Sequence, residues 1–169
     1  MDEKDINGHL LGNNDSSRKK YLTFNLAEEK YGVPLHTVKE IIGIVDITPV
    51  PQVPKFFKGL INLRGKIISV IDLRIKLSLS AGNFTPKKTS IVITEIDDIV
   101  IGVIVDDVEA VVGFHNEQID NTAEIQSKVS NEYIMGVAKT ENHKLCLLLD
   151  ISKVLSLEEL NLVKNKATK

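Results

Sequence analysis

The chain lacks the sequence features of disulfide-bonded, nucleic-acid-binding, membrane-spanning and secreted proteins. It has one cysteine, Cys146, in 169 residues, so an internal disulfide framework is excluded. Its net charge of −2 leaves no basic excess, which argues against a general nucleic-acid binder. The longest apolar run, residues 99–105, is far too short to span a bilayer. The acidic residues 1–5 contain no apolar run typical of a secretion signal, so we expect a cytoplasmic protein without membrane insertion.

Motifs of the common catalytic and cofactor sites are also missing. Neither GxGxxG nor GxxxxGK[ST] occurs, so no phosphate-binding loop is predicted. The four histidines lack the spacing of metal ligands, and Cys146 lies in an apolar run that is typical of a buried strand. No nucleophile can be grouped with a base and an orienting residue. We therefore expect no metal, no cofactor and no enzymatic activity.

What the chain does contain is one pattern that occurs twice, with a shift of 70 residues. Residues 31–44 correspond to residues 101–114, with their glycines and apolar positions in register. Further along, residues 59–77 correspond to residues 136–155, with one extra residue in the turn of the second copy. A repeat of this length indicates two similar supersecondary units, each too small to bury its apolar face alone.

Short strands dominate the predicted elements. Alternation of apolar and polar positions in residues 21–26 predicts a half-buried strand. Ser156 and Glu159 form a capping box that predicts a C-terminal helix over about residues 156–164. Many short strands with brief helical pieces favour a mostly β protein of small barrels over parallel βαβ units. Hairpins are predicted at three turns: Arg64-Gly65, Asp97-Asp98 and residues 140–143.

One segment gives conflicting signals in its two copies. Pro34 occupies a plausible first helical position, Gly43 a plausible helix end, and apolar residues between them follow a three-four spacing. This pattern predicts a short helix with Glu40 on its outer face. The corresponding residues 105–112 keep the spacing but are rich in β-branched valine, which favours a strand. For residues 105–112 both helix and strand therefore remain open.

Composition and the repeat together predict the domain organisation. The polar residues 1–19 are predicted to form a flexible N-terminal tail. Residues 20–160 are expected to form one domain, with a first sub-barrel at about residues 20–80 and a second at about residues 88–155. The C-terminal helix follows the second sub-barrel.

Differences between the copies mark candidate functional residues. Arg64 corresponds to Glu141 and Glu40 to Ala110, so the first copy alone has both an arginine at its hairpin tip and this acid. The planar guanidinium of arginine suits the carboxylates or backbone carbonyls of a partner. The alternative is that both side chains are ordinary solvated surface charges. We predict that Glu40 and Arg64 pair with each other and order a recognition surface.

A longer motif in the same region resembles the signature of a known family. The run Phe57-Lys-Gly-Leu-Ile-Asn-Leu-Arg-Gly-Lys-Ile-Ile-Ser-Val-Ile-Asp-Leu-Arg74 is similar to that of the CheW family, the bacterial chemotaxis coupling proteins. Residues 31–33, 38–42 and 101–108 match the family in order and spacing, so the resemblance covers about residues 20–160. It implies two SH3-like five-stranded β-barrels around a shared core, with short helices and a C-terminal helix.

The resemblance further implies a non-enzymatic adaptor that is recruited to membrane-associated receptor arrays. Its partners would be the regulatory domain of the chemotaxis histidine kinase and the cytoplasmic tips of methyl-accepting chemoreceptors. A competing interpretation is a small-barrel enzyme or ligand-binding domain with its site in the cleft between the repeats. The receptor-binding positions implied by the family are Val38, Glu40, Gly59, Asn62, Arg64, Gly65 and Val108. The implied kinase-binding positions are Ile41, Ile44 and Val50.

Overall fold

The computed structural model describes residues 18–121, 131–140 and 142–167. Of the predicted N-terminal tail, residues 1–17 lie outside the described residues. Arg18 and Lys19, by contrast, belong to the first strand, where they pair with His115 and Phe114. The prediction of a tail extending to residue 19 is therefore wrong at its last two residues, because a neighbouring strand supplies hydrogen-bond partners for their backbone.

Strands are the main elements of the described residues. In chain order they are β1 (Arg18–Leu26), β2 (Glu29–Pro34), β3 (Val38–Gly43), β4 (Phe57–Leu63), β5 (Lys66–Asp72), β6 (Ser90–Ile96), β7 (Ile99–Val105), β8 (Asp107–His115), β9 (Ile119–Asp120), β10 (Ile134–Lys139) and β11 (Leu145–Leu149). The helices are α1 (Leu73–Lys76), α2 (Ile151–Val154) and α3 (Leu157–Ala167), and single 3-10 turns occupy Leu35–Thr37, Asn116–Gln118 and Asn131–Tyr133.

The strands form two sheets with the same plan. In the described residues, the five-stranded sheet has the order β3-β6-β7-β5-β4 and the six-stranded sheet the order β8-β1-β2-β11-β10-β9. In the repeat, β1, β2 and β3 correspond to β6, β7 and β8, and β4 and β5 correspond to β10 and β11. When each strand is exchanged for its counterpart, the order of the five-stranded sheet becomes β8-β1-β2-β11-β10, which is the order of the first five strands of the six-stranded sheet. Both orders are linear, so these are open sheets and not the closed barrels that were predicted. The mostly β fold with two similar units is confirmed.

The two units do not follow the two halves of the chain. In each copy of the repeat, the first two strands join the sheet that contains the remaining strands of the other copy. The exchange depends on two parallel pairings, β2 with β11 and β5 with β7. The predicted boundaries of the sub-barrels, at about residues 20–80 and 88–155, are therefore wrong, because each sheet contains strands from both ranges. Each hairpin buries its apolar face against the opposite copy, and this exchange joins both halves into one domain.

The segment predicted to be a helix after Pro34 is mostly a strand. Leu35–Thr37 forms one 3-10 turn, after which β3 pairs with β6 through Glu40 opposite Ile93 and Ile42 opposite Ile91. In β3 the residues alternate between half-buried and exposed, so Ile42 faces inwards and Ile41 outwards. β-branched residues favour the extended conformation. The counterpart at residues 105–112, left open between helix and strand, is also extended and spans the end of β7 and most of β8.

A backbone bridge draws the two edges of the five-stranded sheet together. Thr48, beyond the end of β3, exchanges two hydrogen bonds of 2.8 and 2.9 Å with Leu60 of β4. The crossing requires glycine at position 59, because a Cβ built there would lie 2.1 Å from the carbonyl oxygen of Thr48. Gly59 also has a φ of +147°, which side-chain-bearing residues rarely adopt. The sheet is consequently curled almost into a barrel.

Apolar side chains form one core between the sheets and smaller cores within them. The shared core takes residues from both sheets, including Phe24, Tyr31 and Leu149 from one and Ile71 and Val103 from the other. The five-stranded sheet encloses what we call the isoleucine core, which consists of Ile61, Ile68, Val70, Ile91, Ile93 and Ile104. One continuous apolar interface between the sheets therefore holds the units in a fixed relation.

A buried ion cluster fixes the junction between the halves. Arg74 of α1 is 2% exposed and donates to both carboxylate oxygens of Asp72 and, at 2.8 Å, to Asp106 between β7 and β8. Asp106 in turn accepts the backbone N–H of Ala27 in the β1–β2 turn at 2.7 Å. The hydrogen bonds to Asp72 raise the pKa of the Arg74 guanidinium. Every charge in the cluster has a partner, as a buried cation requires.

Candidate functional site

Glu40 and Arg64, two charges that have no like-charged counterpart in the second copy, meet at one end of the five-stranded sheet. Arg64 lies in the two-residue turn between β4 and β5, where it and Gly65 have φ angles of 51° and 89°. These angles are typical of a type I′ hairpin turn. Asn62 accepts the backbone N–H of Gly65 at 2.8 Å and supports the turn. Arg64 Nη2 donates to Glu40 Oε1 on the facing edge strand, which confirms the predicted pairing.

A β-bulge in β3 determines which side chains face this end of the sheet. Val38 lies opposite Thr94 and Glu40 opposite Ile93, so Lys39 is an extra residue without a register partner. A bulge lets two consecutive side chains project to the same side. Lys39 and Glu40 both line the same groove as a result, and Lys39 forms an ion pair of 2.7 Å with Glu95 of β6. The hydrogen bond to Glu95 raises the pKa of Lys39.

The groove beside this pair has a volume of about 620 Å³. It is formed by β3, by the β4–β5 and β6–β7 hairpins and by the C-terminal helix α3. Its floor is the exposed end of the isoleucine core, and charged residues stand along its rim. The apolar lining residues are Leu63, Ile67, Ile68, Ile93, Ile99 and Val100, and the charged ones are Lys39, Glu40, Arg64, Lys66, Asp98 and Lys164.

This arrangement suits binding better than catalysis. The charged groups around the Glu40–Arg64 pair stand at the rim and do not converge on one buried point, which a general acid–base site requires. Burial raises the pKa of Cys146 to about 12, so its thiol stays protonated and unreactive. Within the described ranges, no group of three or more His, Cys, Asp or Glu side chains is placed to hold a metal ion. No helix among those residues is both long enough and apolar enough to cross a membrane.

Comparison with known proteins decides the family. A family model described as a CheW-like domain matches residues 20–159. The chain belongs to the CheW family. Chemotaxis protein CheW of Klebsiella aerogenes is 34% identical over 149 residues, which cover 88% of this chain and 89% of that protein. Chemotaxis protein CheW of Bacillus subtilis is 34% identical over 140 residues, covering 83% of this chain and 88% of that protein.

A solved CheW structure has the same fold. The crystal structure of the scaffolding protein TtCheW from Thermoanaerobacter tengcongensis matches with a TM-score of 0.76 and 33% identity. The match covers 84% of this chain and 95% of that one. It confirms the predicted SH3-like two-unit architecture of the CheW family, with open sheets in place of closed barrels.

The structure brings together four of the seven positions implied for receptor binding. Glu40 and Arg64 form the ion pair, and Asn62 and Gly65 shape the turn that presents Arg64. Val38 precedes the bulge and packs against the shared core. The remaining two positions lie away from the groove lining: Gly59 is buried beneath Thr48, and Val108 lies in β8 of the six-stranded sheet.

The three positions implied for kinase binding lie on and after β3 but differ in exposure. Ile41 is 42% exposed, on the opposite face of β3 from Glu40. Ile44 is half-buried against the isoleucine core, and Val50 is half-buried against the shared core. Val45, which the sequence analysis does not select, is 44% exposed.

Four charged groove residues were not predicted as site residues: Lys39, Lys66, Asp98 and Lys164. Lys66 corresponds to Lys144 in the second copy, so a comparison of the copies does not select it. Lys164 follows the repeat and has no counterpart. Its charge and its position in a predicted helix were visible in the sequence, but its place on the groove depends on how α3 docks against β5 and β7.

Proposed function

We propose that this member of the CheW family, an adaptor in chemotaxis signalling, couples chemoreceptors to the chemotaxis histidine kinase without catalysing a reaction. The observation that carries the proposal is the Glu40–Arg64 ion pair at the rim of an apolar groove. Both residues belong to the first copy only, so the repeat itself does not require them. The cytoplasmic tip of a methyl-accepting chemoreceptor binds in this groove, and the protein acts in the cytoplasm at membrane-associated receptor arrays.

The kinase regulatory domain binds the outer face of the five-stranded sheet. Successive side chains of a strand point to opposite faces, so β3 presents Glu40 to the groove and Ile41 to the other side. Ile41, Ile44 and Val50 form the proposed kinase surface, together with the exposed Val45. An adaptor must hold two partners at once, and opposite faces of one strand allow this without steric conflict.

In this proposal the remaining receptor-binding positions maintain the shape of the site and do not contact the receptor themselves. Val38 sets the start of the bulge, Gly59 permits the backbone crossing that curls the sheet, and Asn62 and Gly65 hold the turn. Val108 contributes through the shared core, against which both it and Val38 pack. Arg64 and Glu40 remain the residues in direct contact with the receptor.

Two variants, each expected to weaken binding of one partner only, test the proposed function. Arg64→Ala is expected to weaken binding of a receptor-tip fragment about 10-fold or more, because the charge and the paired geometry are both lost. Its binding to the kinase regulatory domain should remain normal. Ile41→Glu should show the reverse, because an unpaired charge resists desolvation in an apolar interface. Isothermal titration calorimetry with each partner measures both affinities.

Two controls and the charge-swapped pair complete the design. Lys88→Ala removes an exposed cation from the linker, and Leu157→Glu places an acid at a 76% exposed apolar position, so both should bind like the parent. An exposed ion pair contributes only about 0–1 kcal/mol to stability, so Arg64→Ala should stay folded. Glu40→Arg combined with Arg64→Glu tests the pairing by its non-additivity. Normal receptor binding by folded Arg64→Ala would refute the proposed receptor site.

A further inference from the structure

Four charged side chains form two neighbouring ion pairs at the end of the five-stranded sheet. Lys39 Nζ lies 2.7 Å from Glu95 Oε1, and Arg64 pairs with Glu40. At the corresponding positions of the other copy the charge is reversed or missing: Glu109, Asn25, Glu141 and Ala110. The repeat therefore accounts for none of the four charges, and the Lys39–Glu95 pair needs an explanation of its own.

The bulge in β3 explains why Lys39 and Glu40 are neighbours on one side of the strand. In a regular strand, Val38 and Ile42 would lie on the same face, because they are four residues apart. Val38 instead packs against the shared core and Ile42 against the isoleucine core. The extra residue at the bulge produces this change of face, and it brings the side chains of both Lys39 and Glu40 to the groove.

The second copy has the same bulge without a neighbouring acid. In β8, Val108 and Ala110 have register partners in β1, so Glu109 is the extra residue. Glu109 pairs with Lys30 of β2 at 3.5 Å, and the residue that follows it is the uncharged Ala110. Loss of this pair would free no charge beside a functional acid, so β8 supplies a matched control.

In β3 the same loss would place an unpaired cation next to Glu40. Lys39 holds its ammonium on a flexible four-carbon stem, so the group can turn toward more than one carboxylate. Glu95 lies two residues after Ile93 in β6, so strand alternation places both on the face that borders the groove. The pair with Glu95 draws Lys39 toward β6. Arg64 approaches Glu40 from the opposite edge of the curled sheet and meets no competing cation.

Building on the proposed function, we infer that Glu95 is a positioning residue, which holds Lys39 away from Glu40 and so keeps the Glu40–Arg64 pair in the form that the receptor recognises. Without Glu95, the Lys39 ammonium competes with Arg64 for the carboxylate of Glu40. The planar guanidinium then loses the partner that fixes its orientation. Glu95 acts through Lys39 and needs no contact of its own with the receptor.

Removal of Glu95, with and without Lys39, tests the inference by isothermal titration calorimetry. Glu95→Gln is expected to weaken binding of the receptor-tip fragment about 3-fold, the scale of one exposed ion pair. Lys39→Met combined with Glu95→Gln should restore the parental affinity, because no ammonium remains to compete. Lys39→Met alone should bind like the parent. Glu109→Gln breaks the bulge pair of β8 and, as the matched control, should also bind like the parent.

Nuclear magnetic resonance of the Arg64 guanidinium follows the pair without any receptor. The nitrogen signals of Arg64 are identified by their disappearance in Arg64→Ala, and Glu40→Gln gives their position when the partner is lost. Glu95→Gln should move these signals toward the position seen in Glu40→Gln. Adding Lys39→Met to Glu95→Gln should move them back to the parental position.

The outcomes separate this inference from the function on which it rests. A parent chain that binds no receptor fragment would refute the proposed function, while the Arg64 signals would still test the inference. Unchanged Arg64 signals in Glu95→Gln would overturn the inference even if the receptor binds. Weaker receptor binding by Lys39→Met alone would overturn it as well, because Lys39 would then contact the receptor directly. A folded double variant that stays as weak as Glu95→Gln would show that Glu95 does not act through Lys39.

Discussion

At the scale of single residues, Tyr31 stands out because its hydroxyl is buried and has no hydrogen-bond partner among the residues that the structure describes. The residue is 0% exposed and lies in β2 within the shared core. Burial, with a smaller contribution from Glu29, raises the pKa of Tyr31 to about 12. A buried polar atom without a partner costs about 1–3 kcal/mol, so this hydroxyl works against folding.

Tyr31→Phe is therefore expected to increase the free energy of unfolding by about 1 kcal/mol. The ring keeps its packing, and only the unpaired hydroxyl is removed. The chain has no tryptophan, so urea unfolding is best followed by far-ultraviolet circular dichroism. Tyr133→Phe, at a half-buried ring, is the control and should change stability little. A loss of about 1 kcal/mol in Tyr31→Phe would mean that the hydroxyl is satisfied in solution.

Comparison of the two copies identified groove residues at positions where the copies have different residues, and missed a groove residue at a position where they have the same one. Glu40 and Arg64 were paired correctly because each had a different residue at its repeat position. Lys66 was not selected because Lys144 matches it, although only Lys66 lines the groove beside the Glu40–Arg64 pair. An internal repeat shows where the two copies have different residue types. It does not show where the same residue type has different neighbours in the two copies, and here that difference arises because α3 packs beside one sheet only.

At the scale of elements, local pattern was sufficient for turns and caps but not for β3. The Ser156–Glu159 capping box and the hairpin turns at Arg64-Gly65 and Asp97-Asp98 formed as predicted, because they depend on residues close together in sequence. The helix predicted before Gly43 is a strand, because β6 supplies a ladder of partners from the second half of the chain. Pairing over such a distance overrides local helical preference. The Thr48–Leu60 crossing was equally invisible, since neither residue has a distinctive local pattern.

Gly59→Ala tests how much the curled sheet depends on that crossing. The new Cβ would meet the Thr48 backbone at a position with φ of +147°, so we expect a loss of about 2 kcal/mol or more of unfolding free energy. Gly43→Ala is the matched control, because nothing lies within 4 Å of a Cβ built there, at the end of β3. Urea denaturation measures both variants. Equal stability of the two would show that the crossing is not a constraint on the fold.

At the scale of the whole molecule, the exchange of hairpins makes the two halves interdependent. Each sheet contains strands from both sides of the linker at residues 78–88, and the Arg74–Asp106 ion pair spans the same junction. The repeat correctly predicted two similar units. It did not predict which hairpin joins which sheet, because corresponding strands have the same apolar pattern and fit either sheet. That choice depends on how the chain connects the units in three dimensions.

Cleavage of the linker should therefore leave the fold intact, whereas expression of either half alone should not produce it. A protease site inserted between Ala81 and Gly82, both exposed, would divide the chain without breaking a strand. After cleavage, we expect the two fragments to co-elute from a size-exclusion column with the circular dichroism spectrum of the parent. Each fragment expressed alone lacks two strands of one sheet and three or more of the other, so it should be unfolded or aggregated. Cleaved fragments that separate under native conditions, with one retaining a folded sheet, would show that the halves are independent domains.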